Sequence, residues 1–175
     1  MSWLSPKNKE MTNTTNKASK LLMMLCAMAW LASCSSDNEE ETPDQTAGVT
    51  IWDGPMIAFT KDAGSDPTAE ANQDRITASV WISRGNNGGQ IFNANTETSA
   101  NKDNSPEGTM WAEGDIANAA NLNFRPFRAA VGSPKDVVGK NLVLFIPADN
   151  VMMTVRFTSW SQGRAGGFAY IRSTP

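Results

Sequence analysis

The 175-residue chain has no histidine, one tyrosine and only two cysteines, Cys26 and Cys34. Each absence removes a chemistry. Without imidazole there is no serine–histidine triad. Without a thiol beyond residue 34, the rest of the chain has no cysteine nucleophile and no zinc centre of the usual nitrogen and sulfur type. Long apolar runs are missing too: the run near the start, Leu21 to Ala32, is a dozen residues, where a spanning helix needs about 20. From Thr46 onward, 12 acidic side chains stand against 11 basic ones. A body so close to neutral offers no electrostatic case for nucleic acid or an anionic membrane surface.

What the first segment does contain is ordered. Lys7, Lys9, Lys17 and Lys20 precede the apolar run, and positive charge before a short apolar stretch is the pattern of a secretory signal. Met11 offers a second start that keeps Lys17, Lys20 and the run. The run closes on Leu31-Ala32-Ser33-Cys34, which resembles the lipobox of bacterial lipoproteins. The resemblance implies cleavage before Cys34, with residues 1–33 as signal peptide, and acylation of Cys34 by palmitate-type chains. Next comes Ser35-Ser36-Asp37-Asn38-Glu39-Glu40-Glu41, whose composition is that of a solvated tether. It also resembles the acidic signal that sends some gram-negative lipoproteins to the outer face of the outer membrane. The expected organisation is therefore signal peptide (1–33), acylated cysteine and tether (34–48) and a folded body (49–175). Several acyl chains would give stable anchoring where one would not.

The body reads as short strands with polar turns. Val49-Thr50-Ile51-Trp52 and Met56 to Lys61 are β-prone runs parted by Asp53-Gly54-Pro55, a turn signal. From Arg75 to Arg84, Ile76, Ala78, Val80 and Ile82 alternate with Thr77, Ser79, Trp81 and Ser83, which predicts one half-buried strand. Gly85 to Gly89 then turns into Gln90-Ile91-Phe92-Asn93, a hairpin. Residues 96–108 read as a long polar loop, and Thr109 to Ala112 as a short strand. Asp115 to Leu122 has the one helical spacing, with Asp115 as cap. Leu122 to Arg128 reads as an extended segment broken at Pro126, hence at an edge. Asn141 to Ile146 is a continuous apolar run. Val151 to Trp160 alternates, with Val151, Met153, Val155 and Phe157 on one face and Thr154, Arg156, Thr158 and Trp160 on the other. Phe168, Tyr170 and Arg172 line the last strand. Eight or nine short strands with at most one short helix predict an all-β antiparallel sandwich.

Residues 85–90, 127–136 and 157–172, the last reading Phe-Thr-Ser-Trp-Ser-Gln-Gly-Arg-Ala-Gly-Gly-Phe-Ala-Tyr-Ile-Arg, resemble an uncharacterised module of secreted and surface proteins of gram-negative bacteria. The resemblance spans most of residues 49–174. It implies a discrete extracellular module and no particular chemistry.

Three sets of residues are candidates for function. Asp62, Asp66, Glu70 and Asp74 fall within thirteen residues and could offer oxygen ligands to calcium. They do not match an EF-hand spacing, and a solvated acidic loop explains the same letters. No other cofactor is called for. Trp160 and Tyr170 flank one turn on adjacent strands and could form a sugar-stacking platform with Trp111, Arg156 and Arg172, although large aromatics also supply core area. Glu97, Glu107 and Glu113 lie in or beside the long loop and are the residues a small carboxylate glycosidase would draw on. The reading that follows is a non-catalytic lipoprotein of the outer membrane, at the cell surface or facing the periplasm, binding or scaffolding a glycan or an envelope protein. The two classes separate on exposure: a glycan module needs Trp160, Tyr170 or Trp111 exposed, and an interaction module buries them.

Overall fold

The computed structural model describes Thr46 and residues 48–175. The segment expected to be a signal peptide, Cys34 and the acidic tract of the expected tether lie outside the described residues. Among the described residues, nine strands form two sheets: β1 (Thr50–Trp52), β2 (Ile57–Lys61), β3 (Asp74–Arg75), β4 (Trp81–Arg84), β5 (Ile91–Asn93), β6 (Met110–Glu113), β7 (Leu142–Ile146), β8 (Val151–Trp160) and β9 (Phe168–Arg172), with one turn of α-helix, α1 (Phe127–Val131). The larger sheet runs β2-β9-β8-β7-β6, and the smaller runs β3-β4-β5. All these pairings are antiparallel. β1 alone lies parallel, beside Val151 to Met153 of β8. It can do so because β8 is ten residues long and β9 covers only its second half, from Val155 onward.

The core lies between the sheets, as a sandwich requires. Ile82 and Ile91 from the smaller sheet, with Ile76 and Val80 of the β3–β4 loop, meet Trp111, Leu142, Leu144, Val155, Phe157 and Phe168 from the larger one, and α1 adds Phe127, Ala130 and Val131. β7 reads as an uninterrupted apolar run because both its faces are covered. Leu142, Leu144 and Ile146 enter this core, while Val143 packs with Met152 and Ala119 on the other side, where Phe145 also packs.

Four local expectations change. First, Arg75–Arg84 is not one strand: β3 turns back into β4 through Ile76–Val80, where Ile76 N–H donates to the Val80 carbonyl at 3.0 Å. The Thr77 hydroxyl accepts from the Ser79 and Val80 amides, a local hydroxyl turn that competes with extension. The alternation misled because Ile76, Val80 and Ile82 all point inward across the turn. Second, the segment before Pro126 bridges β6 at Arg125, but Pro126 then opens α1. Phe127, Ala130 and Val131 are spaced for one buried helical stripe, and Gly132 at φ +75° ends it, the usual order of proline before and glycine after a helix. Third, Asp115 does cap the next turn, accepting from Ala117 N–H, yet Ile116–Asn121 is 3₁₀ and kinked at Asn118.

The fourth lies in β8. Phe157 pairs with Tyr170, but Ser159, not Thr158, pairs with Ala169, and Trp160 pairs with Phe168. Thr158 is thus a surplus residue, a β-bulge, and a bulge shifts the inward phase of everything beyond it. It turns Trp160 from the expected outer face onto the face of Phe157 and Phe168.

Candidate functional site

The candidate aromatic platform does not assemble, and the other reading of these residues, that they supply core area, is what the structure shows. Trp160, Tyr170 and Trp111 are 8 %, 1 % and 0 % exposed. Trp111 packs edge-on to Phe127, and its indole N–H donates to the Thr109 hydroxyl. Arg156 stays exposed on the outer face of β8, away from the buried Arg172. Arg172 Nε and Nη2 donate to Asp74 at 2.7 and 3.0 Å, and the Tyr170 hydroxyl donates to the same carboxylate at 2.6 Å.

That arrangement also dissolves the predicted calcium set. Asp74 belongs to the buried tie, Glu70 pairs with Arg75 at 2.9 Å, and Asp66 accepts from the Thr68 amide and hydroxyl. The Thr68 hydrogen bonds hold the Asp66 carboxyl below its ordinary range. Among the described residues, no three acidic, histidine or cysteine side chains are placed to share a metal. The glutamates do not converge either. Glu97 binds its own loop, accepting from the Asn93 and Glu107 amides and the Ser105 hydroxyl. Glu113 pairs with Lys140.

Burial, followed by the Asp74 charge, pushes the Tyr170 phenol well above 10.0. A group that the fold keeps protonated adds stability below its unfolded pKa, and that stability is lost as pH climbs towards the folded value. Because Tyr170 is the only tyrosine, phenolate absorbance should stay flat through pH 10 in the native protein and rise only as alkali unfolds it. A normal titration in the folded protein would contradict this burial.

A concave feature lies elsewhere, at the corner where the β4–β5 turn, α1 and the β8–β9 turn meet. The two glycine-rich turns lie against each other. A Cβ on Gly166, itself at φ +70°, would stand 2.2 Å from Asn86 Oδ1 and 2.8 Å from the Gly85 carbonyl, so glycine is needed there for close approach. Beneath them Arg84, 2 % exposed, donates from Nε to the Gly89 carbonyl at 3.2 Å and from Nη1 to the Ser161 and Gly167 carbonyls at 2.9 Å each. Its guanidinium lies 3.9 Å from the Trp160 ring centroid, a cation–π contact. The same ring meets Phe157 edge-on at 5.7 Å, stacks with Phe127 at 6.3 Å and lies 6.4 Å from Phe168. Burial pushes the Arg84 pKa down to about 10, so the group is still a cation at neutral pH. Lys61, on edge strand β2, points inward nearby, donating to Asn86 Oδ1 and the Gly166 carbonyl. Burial, then the Arg84 charge, lowers its pKa.

Arg84, Arg128 and Lys135, with Gly89, Ser133, Pro134 and residues 160–163, line a cavity of about 250 Å³. No carboxylate lines it. The three sequence segments that carry the surface-module resemblance, 85–90, 127–136 and 157–172, all contribute to its wall. Trp160 was singled out in the sequence, as a candidate for sugar stacking or for the core; Arg84, Arg128 and Lys135 were not. The available signal was that an arginine closes the apolar strand before one glycine turn while a tryptophan precedes the other. Comparison with protein-family models, with curated proteins and with solved structures finds no match to this chain.

Proposed function

We propose that the chain is a non-catalytic binding module of the cell envelope, held to the outer membrane by acyl chains on Cys34 and displayed at the cell surface, with an envelope glycan as its ligand, held by charged and polar groups and not by the stacking on Trp160, Tyr170 or Trp111 that their burial excludes. The observation that carries the binding reading is the corner cavity. Its charged groups are all cations, a set that can retain a ligand but supplies no carboxylate to act as acid, base or nucleophile. The anchoring half of the reading rests on the basic start, apolar run and Leu31-Ala32-Ser33-Cys34 motif. Two measurements test the halves separately. Cells fed labelled palmitate should incorporate it into the normal chain and not into Cys34→Ala; equal labelling of both would end the anchoring reading. The detergent-solubilised full chain should be retained on a glycan array, and retention should fall for a cavity variant such as Lys135→Gln. A blank array would end the glycan reading.

A further inference from the structure

We infer that the corner cavity seats one oxyanion group, a carboxylate, sulfate or phosphate, on the guanidinium of Arg128, with Arg84 and Lys135 supplying positive charge around it. This rests on the reading of the cavity as a binding site and names what that site takes. Four observations lead to it.

The first is the state of Arg128. Five cationic side chains among the described residues are withdrawn from full exposure: Lys61, Arg84, Arg128, Lys140 and Arg172. Four are satisfied within the fold. Lys61 donates to Asn86 and Gly166, Arg84 to three carbonyls, Lys140 to Glu113 and Arg172 to Asp74. Arg128 has no hydrogen bond or ion pair with any described residue, and its Nε is shielded from solvent. Buried donors are nearly always paired, and a guanidinium presents a planar fork shaped for two oxygens of one anion.

The second is charge. Two arginines and a lysine line the wall with no acid among them. They do so on a body whose charges nearly cancel, 12 acidic to 11 basic. The positive field is local to the cavity and is not part of a generally basic surface, so it selects an anion at one place.

The third is what the cavity does not offer. Arg84 covers one face of Trp160 at 3.9 Å and Phe127 stacks with the ring at 6.3 Å, so the ring is engaged by the fold and is not free to stack on a sugar. Recognition here is ionic.

The fourth is size. At about 250 Å³ the cavity is below the range of roughly 300–1,000 Å³ typical for drug-sized ligands. It suits a single small group, either a free ion or one charged substituent of a longer chain that continues outside.

The test is a titration of the ¹⁵N-labelled full chain with sodium sulfate, sodium phosphate and sodium glucuronate, each against sodium chloride at matched ionic strength, following the arginine Nε–Hε resonances. At least one oxyanion should move the Arg128 resonance to saturation, with chloride producing only a small unsaturated drift. Arg128→Gln should remove saturation while leaving the melting temperature without added anion unchanged, because Arg128 holds nothing in the fold. Arg128→Lys should keep binding but weaken it about tenfold, since an ammonium cannot make the paired contact. Lys135→Gln, at an exposed position, gives an independent check if Arg128→Gln folds poorly, and it should weaken binding severalfold. Unsaturated drift for all three oxyanions, or unchanged binding by Arg128→Gln, would overturn the inference. Saturation by inorganic sulfate or phosphate without glucuronate supports the inference with a free ion as source. Saturation by glucuronate supports it with an acidic sugar as source. Retention on neutral glycans that is indifferent to Arg128→Gln would overturn the inference while leaving the binding-module reading in place.

Discussion

An Asp74→Ala protein is expected to lose about 3–5 kcal/mol of folding stability, the usual cost of removing one partner from a buried ion pair. Asp74 stands on β3 in the smaller sheet, whereas Tyr170 and Arg172 stand on β9 in the larger one, so the carboxylate ties the two layers together through three hydrogen bonds. The Arg172 side chain is 7 % exposed. Without Asp74 its charge would remain in the core with little else to neutralise it. At about 3 °C per kcal/mol for a domain of this size, the melting temperature should fall by roughly 10–15 °C. The double change Asp74→Leu with Arg172→Met should recover most of the loss, because replacing both partners by apolar groups of similar volume is often neutral or better. A loss below about 1 kcal/mol for Asp74→Ala in chemical denaturation would show that the tie contributes little.

Trp111→Ala is expected to cost about 3–5 kcal/mol by a different route, lost transfer energy plus a cavity. Trp111 is fully buried, its ring meets Phe127 at 5.1 Å and 72°, and its backbone exchanges two hydrogen bonds of 2.8 Å with Arg125. It therefore holds β6 and the start of α1 in one unit. Trp111→Phe should cost less, because it keeps the edge-on ring and loses only the second ring and the bond to Thr109. Equilibrium denaturation of the two variants checks the order. Equal losses would mean that the indole N–H, not ring volume, is what the site requires.

The all-β class, the hairpin around residues 85–89 and the terminal hairpin of β8 and β9 were legible because each is written in short-range pattern: alternation, glycine and polar turns. The two strand misreadings concern alternation. At Ile76–Val80 the alternation of apolar residues continued while the backbone turned back, and at Thr158 it broke, with the buried Phe157 and Trp160 three positions apart, because the backbone carries a surplus residue. Periodicity records which side chains face the core and does not record how the chain gets them there. The helical turn at Phe127 was written in its flanks, Pro126 and Gly132, but the apolar stripe was too short to outweigh the extended look of Leu122 and Phe124. The acidic loop failed as a metal set for a long-range reason. Asp74 is committed to a residue 98 positions later, and nothing near it in sequence announces that partner. The cavity was illegible for the same reason, since its walls come from three segments and its signature is a missing counter-ion, which no local motif records.

The surplus residue at Thr158 also has a kinetic side. Without the bulge, β8 and β9 could still pair from Phe157 and Tyr170 outward, setting Thr158 against Ala169 and Ser159 against Phe168, and Trp160 would face water. The terminal hairpin alone contains two registers separated mainly by where one indole ends up. Phe157 and Phe168 of the hairpin itself meet the ring in the native register, but Arg84 above the ring and Phe127 beside it belong to elements that are distant along the chain. An Arg84→Leu protein should refold with Trp160 more open to quencher at early times than the normal chain. The hairpin that looks most local thus takes part of what holds its phase from the rest of the sandwich, and the cation beneath the glycine turns serves as its proofreader.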